Sequence, residues 1–290
     1  MPRIVDESGN TFIQHPNSQL SHYRIDDFAD PWKPRETILI QHGFARTIQH
    51  WHHWVPALAG RYRVIRRDLR GHGLSSHRKT KFDSIDYEYS LDTILDEIID
   101  TLDQLGIDKV HFLGESTSGM LGEALAAKYP HRLLSLVLCS SPTHLPESAL
   151  QLFAFGHADW PTACRTLGSR GWAEALMRFP GTVASDDPAY QAWWLDMISP
   201  SDCEGLAGYA ELLAKMDSRP FLKEIRVPML ILAPSRSAVM TVAMMEDVAK
   251  QVNGAKVEVI DAPGHEIFVS GAEQCQKAAI SFWKSLEQEK

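Results

Sequence analysis

"KVHFLGESTSGMLGEALAAKY", residues 109–129, passes from an apolar run, Val110 to Leu113, that reads as a buried strand to an Ala- and Leu-rich stretch, Met120 to Tyr129, that reads as a helix. Only Gly-Glu-Ser-Thr-Ser-Gly stands between them. So abrupt a switch forces the turning residue, Ser116, into a strained backbone conformation, tolerable only between small neighbours. Gly114, Ser118 and Gly119 are small. The stretch raises the question of whether Ser116 is a nucleophile or a helix-capping serine in an ordinary turn.

Working outward, short apolar strands alternate with helical patterns, which predicts the α/β class: a mostly parallel sheet with helices on both faces. Strands are expected at residues 21–25, 37–41, 62–67, 110–113, 134–139, 229–232 and 256–260, and helices at 91–105, 121–129, 242–252 and 273–286. From about Thr143 to Pro220 the alternation stops. This interval holds Trp160, Trp172, Trp193 and Trp194 with Phe153, Phe155, Met177, Phe179 and Met197, too apolar for a linker. It reads as several short helices inserted in one core, giving a first core part (1–142), a helical cap (143–220) and a second core part (221–290). Most of its aromatics are expected to form the insertion's own core. Trp193 and Trp194 are taken as candidates to line a pocket where it meets the sheet.

Of the 290 residues 44% are hydrophobic and 23% charged, enough to build a substantial core. A net charge of -8 without a basic cluster argues against a nucleic-acid partner and against anionic membranes. Cys139, Cys164, Cys203 and Cys275 are far apart and lack metal-ligand spacing, as expected of reduced thiols. The first residues, MPRIVDESGN, carry acids early and no apolar core, and no apolar run reaches the roughly 18 residues of a membrane span, so a cytosolic protein is expected.

Three further stretches bear on Ser116. "ILIQHGFARTIQHW" (38–51) places His42-Gly43-Phe44 after a strand; "RVIRRDLRGHGLS" (63–75) places Asp68, Gly71, Gly73 and Ser75 after another; "VEVIDAPGHEIF" (257–268) brings His265 after a strand and a Pro-Gly turn. The other histidines, such as His50, His52 and His53 beside Trp51, read as surface or helix residues. Their spacing without nearby carboxylates makes a poor metal site, so no metal is assigned.

With these in order, the chain resembles α/β hydrolases of the compact, cap-bearing kind that includes enol-lactonases, esterases, carbon–carbon bond hydrolases and cofactor-free dioxygenases. Residues 114–119 resemble the nucleophile elbow G-x-S-x-G, with Ser118 in place of the second glycine. The resemblance implies Ser116 as nucleophile and His265 as general base. It also implies an oxyanion hole from the backbone N–H groups of Phe44 and Thr117, and a structural role for the Asp68 loop. The triad acid has no match: the loop after the seventh core strand, ILAPSRSAVMT (231–241), has no carboxylate, and after the sixth Ser140 stands where the acid would fall. Ser140 or a backbone carbonyl is expected to orient His265, with Glu147 as the alternative.

The expected activity is hydrolysis of a carboxylic ester or lactone through an acyl-enzyme on Ser116, without cofactor, on a small-molecule substrate with a sizeable hydrophobic or aromatic body. A carbon–carbon hydrolase or a cofactor-free dioxygenase would share the same groups; Glu115, where carbon–carbon hydrolases often carry Asn, counts against the former. A non-catalytic ligand-binding protein on this fold is the rival from another class. The oligomeric state is left open.

Overall fold

The computed structural model describes residues 4–76, 89–237 and 240–288. Met1 to Arg3 of the stretch read for a leader, and Ala238 and Val239 of the loop searched for an acid, lie outside the described residues. Among the described residues nine strands form one sheet: β1 (Ile4–Val5), β2 (Thr11–Gln14), β3 (Leu20–Asp26), β4 (Thr37–Gln41), β5 (Arg63–Arg67), β6 (Val110–Glu115), β7 (Leu133–Cys139), β8 (Met229–Arg236) and β9 (Lys256–Pro263). Their spatial order is β1-β2-β3-β5-β4-β6-β7-β8-β9. From β5 to β9 all neighbours pair in parallel; β1, β2 and β3 pair antiparallel, as β3 does with β5. The strands expected from β3 to β9 are present with ends shifted by a few residues. The hairpin of β1 and β2 was not foreseen, because two and four residues are too short to establish an alternation.

The helices are α1 (Val55–Leu58), α2 (Leu91–Gln104), α3 (Thr117–Lys128), α4 (Glu147–Ala154), α5 (Trp160–Met177), α6 (Pro188–Ile198), α7 (Cys203–Lys215), α8 (Val242–Ala249), α9 (Ile267–Ser270) and α10 (Ala272–Gln288). Side chains alternate across each strand, so the sheet feeds two cores. On one face Leu39, Phe112 and Leu136 pack with Ile94, Ile98 and Leu102 of α2 and Met120, Leu121 and Leu125 of α3. On the other, Ile38, Leu113 and Val137 pack with Phe282 and Trp283 of α10 and with Trp51 and Trp54 of a 3-10 helix, Ile48–Trp54. Burial on both faces explains why β4, β6 and β7 are nearly continuous in apolar residues.

The insertion is helical. Helices α4 to α7 lie between β7 and β8, and Trp160, Trp172 and Trp194 are buried. Its two ends meet at a bridge between His144 and Asp217, where Ser218 N donates to Thr143 O at 2.8 Å. Glu123 of α3 lies beneath this hinge, fully buried, and its Oε2 accepts a short hydrogen bond from the Ser218 hydroxyl. Burial pushes the Glu123 carboxyl up to about 8. A folded-state pKa raised above the unfolded one gives stability that is full below about 4.5 and is lost as pH rises through about 8. Thermal melts should therefore fall between pH 5 and pH 8.5. Glu123→Gln, which keeps the shape without the charge, should flatten that slope by on the order of 1.4 kcal/mol for each pKa unit removed. A Gln variant that differs from the parent equally at both pH values would contradict this.

Candidate active site

Ser116 sits between the end of β6 and the first turn of α3 with φ 52° and ψ -128°, a conformation costly for a residue with a Cβ. Three bonds hold it there: Ser116 N donates to Cys139 O at 2.9 Å, while Gly119 N (2.9 Å) and Ser141 Oγ (2.7 Å) donate to Ser116 O. The small neighbours are obligatory. A Cβ on Gly114 would lie 2.6 Å from Ser118 O, and one on Gly119 would lie 1.7 Å from Ser141 Oγ. Ser118 is accommodated because its hydroxyl is used: it donates to His42 O at 2.5 Å, tying the elbow to the His42 loop. The helix begins directly at Thr117 rather than near Leu121, so the turn is even sharper than the sequence suggested.

The His42 loop lies alongside. Leu69 N donates to His42 Nε2 at 3.0 Å, which leaves the ring proton on Nδ1 to reach Gly43 O at 2.8 Å. His42 thus fixes the loop rather than reacting. Asp68 does the structural work expected of it, accepting from Ile48 N at 2.8 Å and Leu74 N at 3.2 Å and bonding His22 Nδ1 at 2.7 Å; against the opposing effect of burial, His22 and His42 hold its carboxyl well below the usual range. Phe44 N points toward the elbow and donates to Thr117 Oγ1 at 3.2 Å. Thr117 N belongs to the first turn of α3, where a backbone N–H has no intrahelical acceptor and the helix favours negative charge. Both donors read as an oxyanion hole therefore sit next to Ser116.

His265 reaches the same place from the opposite side of the sheet order. Its Nε2 is 2.9 Å from Ser116 Oγ. The loop is pinned through backbone groups: Gly264 N donates to Arg236 O at 3.0 Å, and His265 N donates to Gly181 O at 2.8 Å in the turn between α5 and α6. Gly264 adopts φ 75°, and a Cβ there would come within 2.7 Å of Gly181 O, so this close crossing of base loop and cap requires glycine. Burial and the nearby Arg46 guanidinium push the imidazole down to about 4.

No hydrogen bond joins His265 to either expected orienter. Its Nδ1 has no hydrogen-bond partner among the described residues, and neither has Ser140 Oγ. Ser140 is placed by its backbone, with φ 50° and its N–H on Leu232 O at 3.2 Å. Glu147 is exposed in the first turn of α4 and accepts from Gln151 Nε2 at 3.2 Å. The structure shows no contact between Glu147 and the base among the described residues. Among the described residues a carboxylate near the ring is Glu115, 3.9 Å from His265 Nε2 and buried, with Gly43 N donating to it at 2.6 Å. Burial raises the Glu115 carboxyl to about 7.

The ring of Phe44, whose N–H faces the elbow, meets two other cap tryptophans, both buried. Phe44 packs on Trp160 and Trp172, with ring centroids 4.4 and 5.0 Å away, and Phe153 backs Trp160 at 4.8 Å. Trp194 is instead fully buried, its Nε1 donating to Glu266 Oε1 at 3.0 Å and its ring under the Arg46 guanidinium. Trp193 lines an open cavity of about 400 Å³ with His50, His52, His53, Tyr190 and Val269, which includes neither Ser116 nor His265. Sequence reasoning could not separate these tryptophans, since all four occur in similar helical surroundings. His50, expected as a surface or helix residue, lies in the 3-10 helix and is buried, its Nδ1 accepting from Thr47 N at 3.0 Å.

Residues 36–178 match the family model described as "alpha/beta hydrolase fold". The chain is an enzyme of the α/β-hydrolase fold. It is 25% identical over 248 residues to 3-oxoadipate enol-lactonase 2 of Acinetobacter baylyi, a match covering 83% of this chain and 85% of that protein. It is 26% identical to Karrikin insensitive 2 receptor IA of Petunia hybrida, covering 79% of this chain and 84% of that one. Among solved structures, the enol-lactonase from Burkholderia xenovorans LB400 superposes with a TM-score of 0.81 at 25% identity, covering 94% of this hydrolase and 99% of the other chain. Among the described residues of the hydrolase no helix is long and apolar enough to cross a membrane.

Proposed function

We propose that this hydrolase cleaves a carboxylic ester or lactone with a hydrophobic or aromatic body, through an acyl-enzyme on Ser116. The observation that carries the reading is the 2.9 Å approach of His265 Nε2 to Ser116 Oγ at a strained elbow. A neutral imidazole with its proton on Nδ1 presents the Nε2 lone pair to the serine hydroxyl, takes its proton as Oγ attacks the carbonyl, and returns it to the leaving alkoxide. The tetrahedral oxygen develops charge beside Phe44 N and Thr117 N. Water, deprotonated by His265, then attacks the acyl carbonyl and releases the acid. Phe44, whose N–H faces the elbow and whose ring is backed by Trp160 and Trp172, supports the reading of a hydrophobic substrate body. The names of the bacterial relatives, enol-lactonases, agree with a lactone as one substrate class.

Two observations favour the non-catalytic rival: among the described residues no carboxylate bonds Nδ1 of the base, and a relative is named a receptor. The two readings separate in one experiment. Incubation with p-nitrophenyl esters and with a five-membered enol-lactone should give turnover. A fluorophosphonate should add one phosphonyl group, located by peptide mass spectrometry on Ser116. Absence of both turnover and labelling would leave a binding protein.

A further inference from the structure

Glu266 follows the candidate base and is fully buried, yet its carboxylate does not bond the imidazole beside it. It gathers four donors from two other parts of the molecule. Arg46 Nε, from the loop that carries Phe44, donates to Oε1 at 2.6 Å. Trp194 Nε1 of α6 donates to the same oxygen at 3.0 Å. Ala184 N, in the turn before α6, and Tyr190 Oη, within it, donate to Oε2 at 2.7 and 3.2 Å. Arg46 extends the link, since its Nη1 donates to Ala45 O at 3.1 Å and its Nη2 to Thr182 O at 3.4 Å. A carboxylate buried at this depth persists only when its charge is paired and its lone pairs are filled, and both conditions are met here.

We infer that Glu266 is a positioning residue: its carboxylate locks the base loop, the Phe44 loop and the cap into one arrangement, and its charge offsets Arg46 beside His265. This deepens, and rests on, the acyl-transfer reading above. The base loop and the Phe44 loop come from opposite ends of the chain and make the reaction only if held within tenths of an ångström. The hydrogen bonds of His265 to Gly181 and of Glu266 to Ala184 both end in the same α5–α6 turn, so a displaced cap would move base and oxyanion donors together. The charged and titratable groups facing the pair are Arg46, Glu115 at the end of β6, Tyr190 on α6 and His53 on the 3-10 helix.

The test is Glu266→Gln in the full chain, read in two ways. With a p-nitrophenyl ester, kcat should fall by about 10- to 100-fold while KM changes less than about threefold, because alignment rather than substrate contact is lost. Without any substrate, the ¹⁵N NMR titration of His265 should move to lower pH, because Arg46 is left unbalanced; removal of both charges in Arg46→Gln/Glu266→Gln should return it toward the parent value without restoring kcat. A purely structural role would lower the melting temperature and move neither readout, and an unmoved titration with kcat within about threefold of the parent overturns the inference. If Glu266→Gln does not fold, Trp194→Phe removes one donor and leaves the charge: a several-fold lower kcat at constant KM supports the inference, and parental kcat overturns it. The NMR titration does not depend on ester cleavage, so failure of the acyl-enzyme reading, seen as full turnover by Ser116→Ala, is distinguishable from failure of this one.

Discussion

Replacement of Ser116 by alanine is expected to lower kcat by about 10⁴-fold or more while the chain folds as before. The fold should survive because alanine keeps the Cβ and so adds no new strain at φ 52°, and because the three hydrogen bonds that hold the elbow involve the backbone of residue 116 rather than its hydroxyl. Among the described residues, the only hydrogen bond given up is the one to His265. The effect should be large because the acyl-enzyme has no other oxygen to form on: Ser118 Oγ is committed to His42 O and Thr117 Oγ1 to Phe44 N. Steady-state kinetics on an ester and on a lactone, with circular dichroism as the control, read both halves. Retention of more than a tenth of parental activity would rule out the acyl-enzyme. The comparison with His265→Ala then matters, since a cofactor-free dioxygenase needs only a base, and in that chemistry the serine variant would remain far more active than the histidine variant.

Much of this geometry was legible in the sequence because it rests on local constraints. A strand that must become a helix within a few residues announces its turning residue by the small side chains around it, and Gly114, Ser118 and Gly119 do so. Likewise the loops of His42 and His265 follow strands that are apolar enough to be recognised, so the sheet delivers both to one edge. Missing from the sequence was everything decided by packing between distant segments. Which tryptophan faces Phe44 depends on how four cap helices pack, and no periodicity distinguishes Trp172 from Trp194. Glu266 could be seen only as a neighbour of His265; an acid followed directly by Ile267 and Phe268, with an unmatched Arg46 in the other loop, was the available signal. For Glu115 the signal is its place at the end of an otherwise apolar strand, which means burial.

The pH dependence of kcat/KM should carry the signature of a base without a carboxylate on Nδ1. Burial and Arg46 hold His265 near 4, so the imidazole stays neutral, and competent to accept the serine proton, from neutral pH down to about pH 5. The acid limb is therefore expected near pH 4, falling about tenfold per pH unit below it, instead of above the ordinary value of roughly 6.5 for a histidine bonded to an acid. The low basicity has a cost in rate, because the imidazolium formed during attack is poorly stabilised. Glu115 supplies a second step. Its carboxyl, raised to about 7, lies 3.9 Å from the nitrogen that becomes protonated, and its ionised form favours the imidazolium. Activity should accordingly rise again as pH passes through about 7, by roughly tenfold or less, and Glu115→Gln should abolish this upper step while leaving the acid limb in place. Profiles of kcat/KM from pH 3.5 to 9 for both proteins provide the measurement. A single limb above pH 6 in the parent, abolished by Glu147→Gln or Ser140→Ala, would instead mean that one of those side chains reaches Nδ1 in the working enzyme.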